Sequence, residues 1–354
     1  MPPHQRLKTR RTNVTAFDVA RLAEVSQSAV SRAFTPGAAV AESTRQKVLE
    51  AAKKLGYRPN AIARSLITSR SRIIGVVVSY FDNQFYPLVL ELLSKELRLH
   101  GYHLLLFCTD SGDADNLMLE ILQYQVDGIV MASTTFSSPL ARSCSEAGIP
   151  VVLFNRTARN SPSSTVASDN VAGGRMVADL LCAAGHRRMA FIAGLEDTST
   201  SRDREQGFLQ GLAAHNERCY ARTVGNYQSE GAAQAALEMF TTRPAPDAVF
   251  VANDHMAIAV MDTLRQRLGL RIPEDVSVVG FDDVPQAAWG SYDLTTVRQP
   301  AKSMIAATVA LLIRQIGDRH APPESVVLPV ELVMRSSVRA AKLARRNAPK
   351  PQAS

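Results

Sequence analysis

Cysteine is scarce. The 354 residues hold four, Cys108, Cys144, Cys182 and Cys219, widely scattered and without a CxxC pair. That usage argues against metal binding and fits a reduced, cytoplasmic setting. No stretch approaches the roughly 20 consecutive apolar residues that a membrane span needs. The N-terminal MPPHQRLKTRRTN is basic but has neither an apolar core nor a cleavage site, which excludes a secretory signal. Acidic residues are sparse at the start of the chain. Residues 1–72 carry 14 Lys and Arg against 4 Asp and Glu, residues 73–334 carry 20 against 29, and the last twenty carry 6 against none. Such asymmetry points to a polyanionic partner, nucleic acid foremost, for the N-terminal part alone. The 46% hydrophobic and 21% charged content of the whole is that of a soluble globular protein with room for two or three domains.

The basic segment has internal order. Thr15 followed by Asp18 is an N-terminal capping signature, and Val19, Ala20, Leu22 and Ala23 give an apolar helical face. Val25-Ser26 breaks that pattern, and Ser26 is suited to cap a second helix, Gln27 to Arg32. On it Ala29, Val30 and Ala33 pack inward, leaving Gln27, Ser28, Ser31 and Arg32 outward. Arg can fork onto guanine, Gln onto adenine, and Ser can serve base or phosphate. Two short helices with the second presenting polar residues is a helix-turn-helix arrangement. Thr35-Pro36-Gly37 ends the second helix, and a third runs from Glu42 to about Leu55, closed by Gly56. The alternative is a generic three-helix bundle with a solvated polar face, which leaves the charge excess unexplained.

Val14–Leu66 resembles the DNA-binding headpiece of the lac repressor/galactose repressor family of bacterial transcription regulators. The resemblance is carried by DVA (Asp18–Ala20), VS (Val25-Ser26), AVSR (Ala29–Arg32), TRQKVLEAAKKLGY (Thr44–Tyr57) and RPNAIARSL (Arg58–Leu66). It implies that Gln27 and Ser28 read major-groove bases and that Arg32 contacts base or backbone. Thr35 stands where the family often has Asn, and Ala41 where it often has the Ser that caps the third helix. Asn60–Leu66 resembles the family's hinge, a short helix that forms on operator DNA when two subunits pair at the minor groove. Leu66 takes the place of its wedge leucine, and Ala63, one turn behind, permits close approach. With Thr15 and Ser26 at the helix starts and Asn60 at the hinge, these residues are the candidate DNA contacts.

From Ile73 the rhythm becomes strand, helix, strand. IIGVVV (Ile73–Val78) is a strand of the kind buried on both faces, Phe85–His100 a helix, HLLLFC (His103–Cys108) a strand, and Asn116–Gln125 a helix. GIVMAS, VVLF, MAFIAG, AVFVAN and SVVGFDD (Ser277–Asp283) continue the strands, with helices over 172–184, 203–216, 230–241 and 255–268 between the later ones. Such alternation predicts α/β architecture, two doubly wound parallel-sheet subdomains. Ligands of such sheets sit beyond the strands' carboxyl ends, where Asp82-Asn83 with Phe85-Tyr86, Asn155-Arg156, Ser201–Arg204, Asn253–His255 and Asp282-Asp283 fall.

This part resembles the same family, whose core is like that of a periplasmic sugar-binding protein, through AGIPVVLFNR (Ala147–Arg156), SDNVAGG (Ser168–Gly174), VFVANDHMAIAVM (Val249–Met261) and PEDVSVVGFDD (Pro273–Asp283). The resemblance makes Arg204 the effector-gripping arginine, Asn253 and Asp282 partners of effector hydroxyls, Tyr227 a stacking ring and Phe85 a lid. Asn155 replaces a common Asp. Against these stand plainer readings: Arg204 as a surface residue pairing with Asp203 or Glu205, Tyr227 and Phe85 as core. Asp254 and Asp283 suit braced turns. A metal at Asp282-Asp283 with His255 is disfavoured because neighbouring strand residues face opposite ways. Cys144 or Cys182 with His186 lies away from the strand ends. No catalytic set and no cofactor site emerges.

In Leu294–Ile316 a helix shows an apolar face (Met304, Ile305, Ala307, Val309, Leu311, Leu312) suited to subunit contacts, and Val326–Val338 reads as a closing strand. The tail lacks the leucine heptads of tetrameric family members, so a homodimer is expected. The expected organisation is a headpiece over 1–59, hinge and linker over 60–72, an effector-binding and dimerisation core over 73–338, and a basic disordered tail over 339–354. The expected function is that of a cytoplasmic regulator, not an enzyme, probing double-stranded operator DNA under control of a small polar effector, a sugar or sugar acid favoured and a nucleoside also compatible. A solute-binding protein or a sugar-processing enzyme is the alternative; the first would need a signal peptide, the second a catalytic constellation.

Overall fold

The computed structural model describes residues 14–35, 37–58, 70–79, 81–108, 114–132, 143–144, 146–157 and 163–340. The expected basic arm, the hinge residues Asn60, Ala63 and Leu66, and residues 341–354 of the tail lie outside the described residues. The chain divides into two units, Met1–Ser71 and Arg72–Ser354.

The first unit is three helices, α1 (Ala16–Leu22), α2 (Gln27–Ala33) and α3 (Glu42–Leu55). They close on Val19, Ala20, Ala23, Val30, Ala33, Val48, Ala51 and Ala52. Leu22, expected on the buried face, is 48% exposed. The buried stripe runs through Val19, Ala20 and Ala23, and Leu22 lies about 100° of helix rotation from Ala23. Glu24 holds the turn between α1 and α2 with φ 54°, a left-handed conformation that favours glycine. Gly56 ends α3 in that same conformation, its natural place.

In the second unit the chain runs β1 (Ile73–Val78), α4 (Phe85–Leu99), β2 (His103–Cys108), α5 (Ala114–Gln123), β3 (Gly128–Ala132), β4 (Val151–Phe154) and β5 (Ser164–Ser168). It continues with α6 (Asn170–Ala183), β6 (Met189–Ala193), α7 (Ser199–Ala214), β7 (Ala221–Val224), α8 (Ser229–Thr241), β8 (Ala248–Val251), α9 (Asp254–Asp262) and β9 (Ser277–Val279). Last come β10 (Thr296–Arg298), α10 (Ala301–Gly317), β11 (Ser325–Leu328) and β12 (Glu331–Val333). One sheet has the order β11-β5-β4-β3-β1-β2, the other β7-β6-β8-β9, and all their pairings are parallel. A third, two-stranded sheet pairs β10 with β12 antiparallel. Two parallel-sheet lobes are the architecture the alternation predicts.

The chain crosses between lobes three times: from β5 into α6, from β10 into α10, and from β11 into β12. The apolar face of α10 is not left for a partner subunit. Met304, Ile305, Val309, Leu311 and Leu312 are buried within the chain, where α10 packs on β3, β4 and β5. A parallel sheet needs cover on both faces, and this helix supplies it. The expected strand over 277–283 ends at Val279, because Asp282 and Asp283 take φ of 125° and 55°. The expected closing strand is split in two at Pro329, which has no N–H to donate to a ladder. Helix α7 begins at Ser199, a full turn before the expected start, capped by the Thr198 side chain.

Candidate DNA-reading helix and effector cavity

Capping consumes part of the hydroxyl set near α2. Thr15 and Asp18 exchange hydrogen bonds in a full capping box, with Thr15 N–H donating to Asp18 Oδ2 at 3.0 Å. Those backbone and side-chain bonds from Thr15 hold the Asp18 carboxyl below its usual value. Ser26 Oγ accepts the Ala29 N–H at 3.2 Å and bonds Ser28 Oγ at 2.9 Å. Thr35 Oγ1 donates back to the Ser31 carbonyl at 2.9 Å. Gln27, Ser28, Ser31 and Arg32 all lie exposed on one helix. Arg45 of α3 was not singled out by the sequence. Its guanidinium donates to the carbonyls of Ala33 (2.7 Å) and Ala38 (3.2 Å), fixing the end of α2 and the loop after it.

Between the two lobes of the second unit lies a cleft whose empty space, solvent mouth included, is about 320 Å³, lined by Asn83, Tyr86, Asn155, Arg156, Thr200, Arg204, Tyr227, Asn253 and Asp282. Five of the six expected effector residues meet there. Phe85 does not. It is 1% exposed and stacks on Phe154 at 6.4 Å, so Tyr86 presents the aromatic ring on that wall. The spacing carried the signal, since Phe85 begins a buried series with Val89, Leu93 and Leu97 at four-residue steps. Asn83 and Arg156 stand among the strand-end residues without an assigned effector role, and Thr200 lies in a Ser/Thr run that reads as loop.

Arg204 is no surface residue; it is 2% exposed. Its Nε donates to Asn170 Oδ1 at 2.8 Å, one terminal nitrogen to the Ala252 carbonyl at 2.6 Å, and the other lies 3.3 Å from Asp282 Oδ1. The guanidinium sits 3.7 Å over the Phe281 ring. Helices α6 and α7 touch so closely that a Cβ on Gly174 would come within 2.2 Å of the Arg204 carbonyl oxygen. That approach places Asn170 beside Arg204. Asp282 also accepts from Gln299 Nε2 at 2.7 Å. Behind it Asp254, fully buried, accepts from Thr296 Oγ1 and the Val284 N–H, bracing the turn as its position suggested. Asp283 does likewise with Arg298 and Arg335. Burial raises the Asp254 carboxyl well above the carboxylate range, and the nearby Asp282 charge adds to it. Burial raises Asp282 too, against the opposing pull of Arg204.

Three wall residues, Asn155, Tyr227 and Asp282, hold left-handed φ of 56°, 59° and 125°. Such strain collects at sites where a side chain must be aimed. Tyr227 fits only because residue 194 is glycine: a Cβ there would lie 2.1 Å from the ring. Two wall amides keep a buried polar atom without a partner, Asn155 Oδ1 and Asn253 Nδ2. Asn253 is fixed in orientation, since its Oδ1 accepts the Met256 N–H at 3.0 Å as the cap of α9. Across the cleft, Arg156 of the first lobe donates to Thr200 of the second, and Thr200 Oγ1 meets the Tyr227 hydroxyl at 3.1 Å. Among the described residues no cluster of His, Cys, Asp or Glu could hold a metal ion, and no helix is long and apolar enough to cross a membrane.

Residues 15–60 match the family "Bacterial regulatory proteins, lacI family", and residues 178–338 match "Periplasmic binding protein-like domain". The HTH-type transcriptional regulator CelR of Thermobifida fusca is 34% identical over 339 residues, 93% of this chain and 99% of that protein. The HTH-type transcriptional repressor PurR of Vibrio vulnificus (strain CMCP6) is 31% identical over 331 residues, 92% of this chain and 98% of that protein. Among solved structures, the lac repressor dimer bound to operator and the anti-inducer ONPF superposes with a TM-score of 0.83 at 25% identity, covering 93% of this chain and all (100%) of that one. The CelR–cellobiose complex does so with a TM-score of 0.71 at 32% identity, over 92% and 99%. With identity at this level along almost its entire length, the chain belongs to the lacI family of bacterial regulatory proteins.

Proposed function

We propose that this protein is a cytoplasmic transcriptional repressor that binds operator DNA as a homodimer and is controlled by a small hydroxylated effector held between the lobes of its core. The observation that carries the reading is one chain joining an exposed polar helix start, Gln27 to Arg32, to a buried polar cavity with unsatisfied amide atoms. In each half-site α2 enters the major groove, Gln27, Ser28 and Arg32 meeting base edges and Ser31 the backbone. Thr15 and Ser26 cap the starts of α1 and α2 and Thr35 closes the end of α2, so these three hold the reading helix against the DNA backbone. Asn60–Leu66 forms the hinge at the centre of the operator, Leu66 entering the minor groove.

The cavity chemistry supports a sugar-like effector. Asn155 Oδ1 offers an acceptor, Asn253 Nδ2 a donor, and Tyr86 and Tyr227 give ring faces. The relative CelR is known in complex with cellobiose, which makes that disaccharide a first probe. Arg204 arrives already paired with Asp282, so its charge is balanced, favouring neutral hydroxyls over a carboxylate. Effector occupancy changes the angle between lobes and with it the placing of two headpieces on DNA.

The test has two parts. Selecting duplexes from a random pool with the purified protein should enrich a near-palindromic sequence, and Arg32→Ala should bind it roughly 10- to 100-fold more weakly, the worth of one bidentate base contact. Leu66→Ala should weaken binding to the same duplex. A melting screen against sugars, with cellobiose included, should show a stabilisation of about 2.7 kcal/mol at 100 times the dissociation constant. No enriched duplex, or an Arg32→Ala protein that binds as well as the parent, would remove the reading.

A further inference from the structure

Two of the cavity's charges belong to a closed ring of hydrogen bonds that leaves the cavity and returns to it. Arg204 Nε donates to Asn170 Oδ1 at 2.8 Å, and Asn170 Nδ2 donates to the Ser168 carbonyl at 3.0 Å. Ser168 Oγ donates to Gln299 Oε1 at 2.7 Å, and Gln299 Nε2 donates to Asp282 Oδ1 at 2.7 Å. The 3.3 Å contact of Asp282 with Arg204 closes the ring. Its polarity is determined throughout. A carboxylate in an ion pair accepts and a guanidinium donates, so each amide has one orientation and the Ser168 hydroxyl one direction. All five residues are buried, and of them only Arg204 and Asp282 line the cavity.

The other three stand where the chain crosses between lobes. Ser168 ends β5 in the first lobe, Asn170 begins α6 in the second, and Gln299 lies between β10 and α10. The remaining crossing is tied to them by backbone. Asp169 N–H donates to the Leu328 carbonyl at 2.8 Å, and Arg298 pairs with Glu331 in the β10–β12 ladder. A ligand that donates to Asp282 or accepts from Arg204 draws on the oxygen and N–H groups that hold the ring. Chains of hydrogen bonds polarise one another, so a change at one link alters the rest.

We infer that this ring couples the cavity to the lobe angle: occupancy at Asp282 and Arg204 shifts Gln299 and Asn170, and these two positioning residues shift the crossings. The inference rests on the effector-controlled reading above, but its test needs neither effector nor DNA. Hydrogen exchange by mass spectrometry would be followed in the full chain for peptides covering 164–172, 296–303 and 326–333. Asp282→Asn keeps the shape of the side chain and removes the charge that anchors Gln299. It should speed exchange in all three peptides by roughly tenfold beyond the general speeding seen in peptides remote from the ring, about the worth of one hydrogen bond to a charged group. The peptide 326–333 decides, because it contains no member of the ring.

In a Gln299→Met background the same Asp282→Asn change should speed 326–333 by no more than about threefold, since the link is already cut. Equal effects in both backgrounds, or an effect confined to the neighbourhood of residue 282, would overturn the inference. Should Gln299→Met fail to fold, Ser168→Ala removes the hydroxyl that donates to Gln299 Oε1, the next link of the ring, and is judged by the same two outcomes. A protein that enriched no operator would refute the regulator reading while these exchange rates still decided the ring.

Discussion

Replacing Arg204 with methionine is the most informative single perturbation of the core. Methionine fills much of the arginine's volume and keeps a soft contact with the Phe281 ring, so little cavity is created. What is lost is the guanidinium that lies 3.3 Å from the Asp282 carboxylate, in a pair whose side chains are each 2% exposed. Removing one partner of a buried ion pair costs about 3–5 kcal/mol, because the other charge stays buried without compensation. In a unit of this size about 1 kcal/mol moves the midpoint by roughly 2–4 °C, so a drop on the order of 10 °C is expected at pH 8.

The deficit should depend on pH, in a fixed direction. Asp282 and Asp254 have folded-state values above the ordinary 3.8, chiefly through burial. A carboxyl of that kind contributes stability fully present below the ordinary value and lost as pH rises through the raised one. Arg204 opposes the rise at Asp282, so its removal pushes that carboxyl further up. At pH 5 the variant can keep Asp282 protonated, and its deficit against the parent should shrink to less than half. At pH 8 the full deficit returns. The double variant Arg204→Met with Asp282→Asn should recover part of the loss at pH 8, since no uncompensated charge remains at residue 282. Calorimetric melts at the two pH values measure all of this. Equal deficits at pH 5 and pH 8, or a double variant as unstable as the two single losses added together, would refute the argument that charge compensation is what Arg204 contributes.

Other outcomes follow from single contacts. Glu24→Gly relieves a left-handed residue at an exposed turn and should raise headpiece stability by about 0.5–1 kcal/mol in urea titrations, after the entropy that glycine adds to the unfolded chain. Gly194→Ala puts a Cβ 2.1 Å from the Tyr227 ring and should cost about 1–3 kcal/mol and abolish any sugar-induced melting shift, while binding to a selected duplex persists. Asp247 is pushed up by burial but held down to about 2 by His186 and the N–H groups of Arg187 and Arg188. Its stabilisation is therefore present above the ordinary 3.8 and lost as pH falls towards 2, and Asp247→Asn should flatten that acid limb of the stability curve.

Much of this was legible in the residues because local rules and the fold agree. The capping box at Thr15 and Asp18, the glycine after α3 and the alternation of apolar strands with helices are local signals, and each is met in place. Asn155, Arg204, Asn253 and Asp282 stand after strands whose ends converge on one cleft, and the family resemblance singled them out together with Tyr227. What was missed depends on long-range contacts. The spacing of Phe85 with Val89, Leu93 and Leu97 marks it as core, but nothing near it in sequence shows the Phe154 ring it stacks on, with Tyr86 left at the wall. The face of α10 reads as a subunit contact until the sheet it covers is known. Gln299 and Asn170 are unremarkable polar residues until folding brings Asp282 and Arg204 beside them.

The cavity's cost to the fold is also its means of recognition. Each strained residue among Asn155, Tyr227 and Asp282 is destabilising by about 1–3 kcal/mol. The orphaned Asn155 Oδ1 and Asn253 Nδ2 add the desolvation of two unpaired groups, about 1–3 kcal/mol apiece. Ligand hydroxyls that donate to the first atom and accept from the second remove that penalty, and an analogue lacking either one leaves its share in place. Rejection of deoxy analogues should therefore be stronger than rejection of analogues shortened by a methylene, because an unpaired buried dipole costs more selectivity than a lost apolar contact. Both amides line the same cavity as the Arg204–Asp282 pair, and Asn253 is next in sequence to Ala252, whose carbonyl holds Arg204. On the reading proposed above, a ligand that satisfies the wall lies in the same cavity as the pair that reaches the lobe crossings.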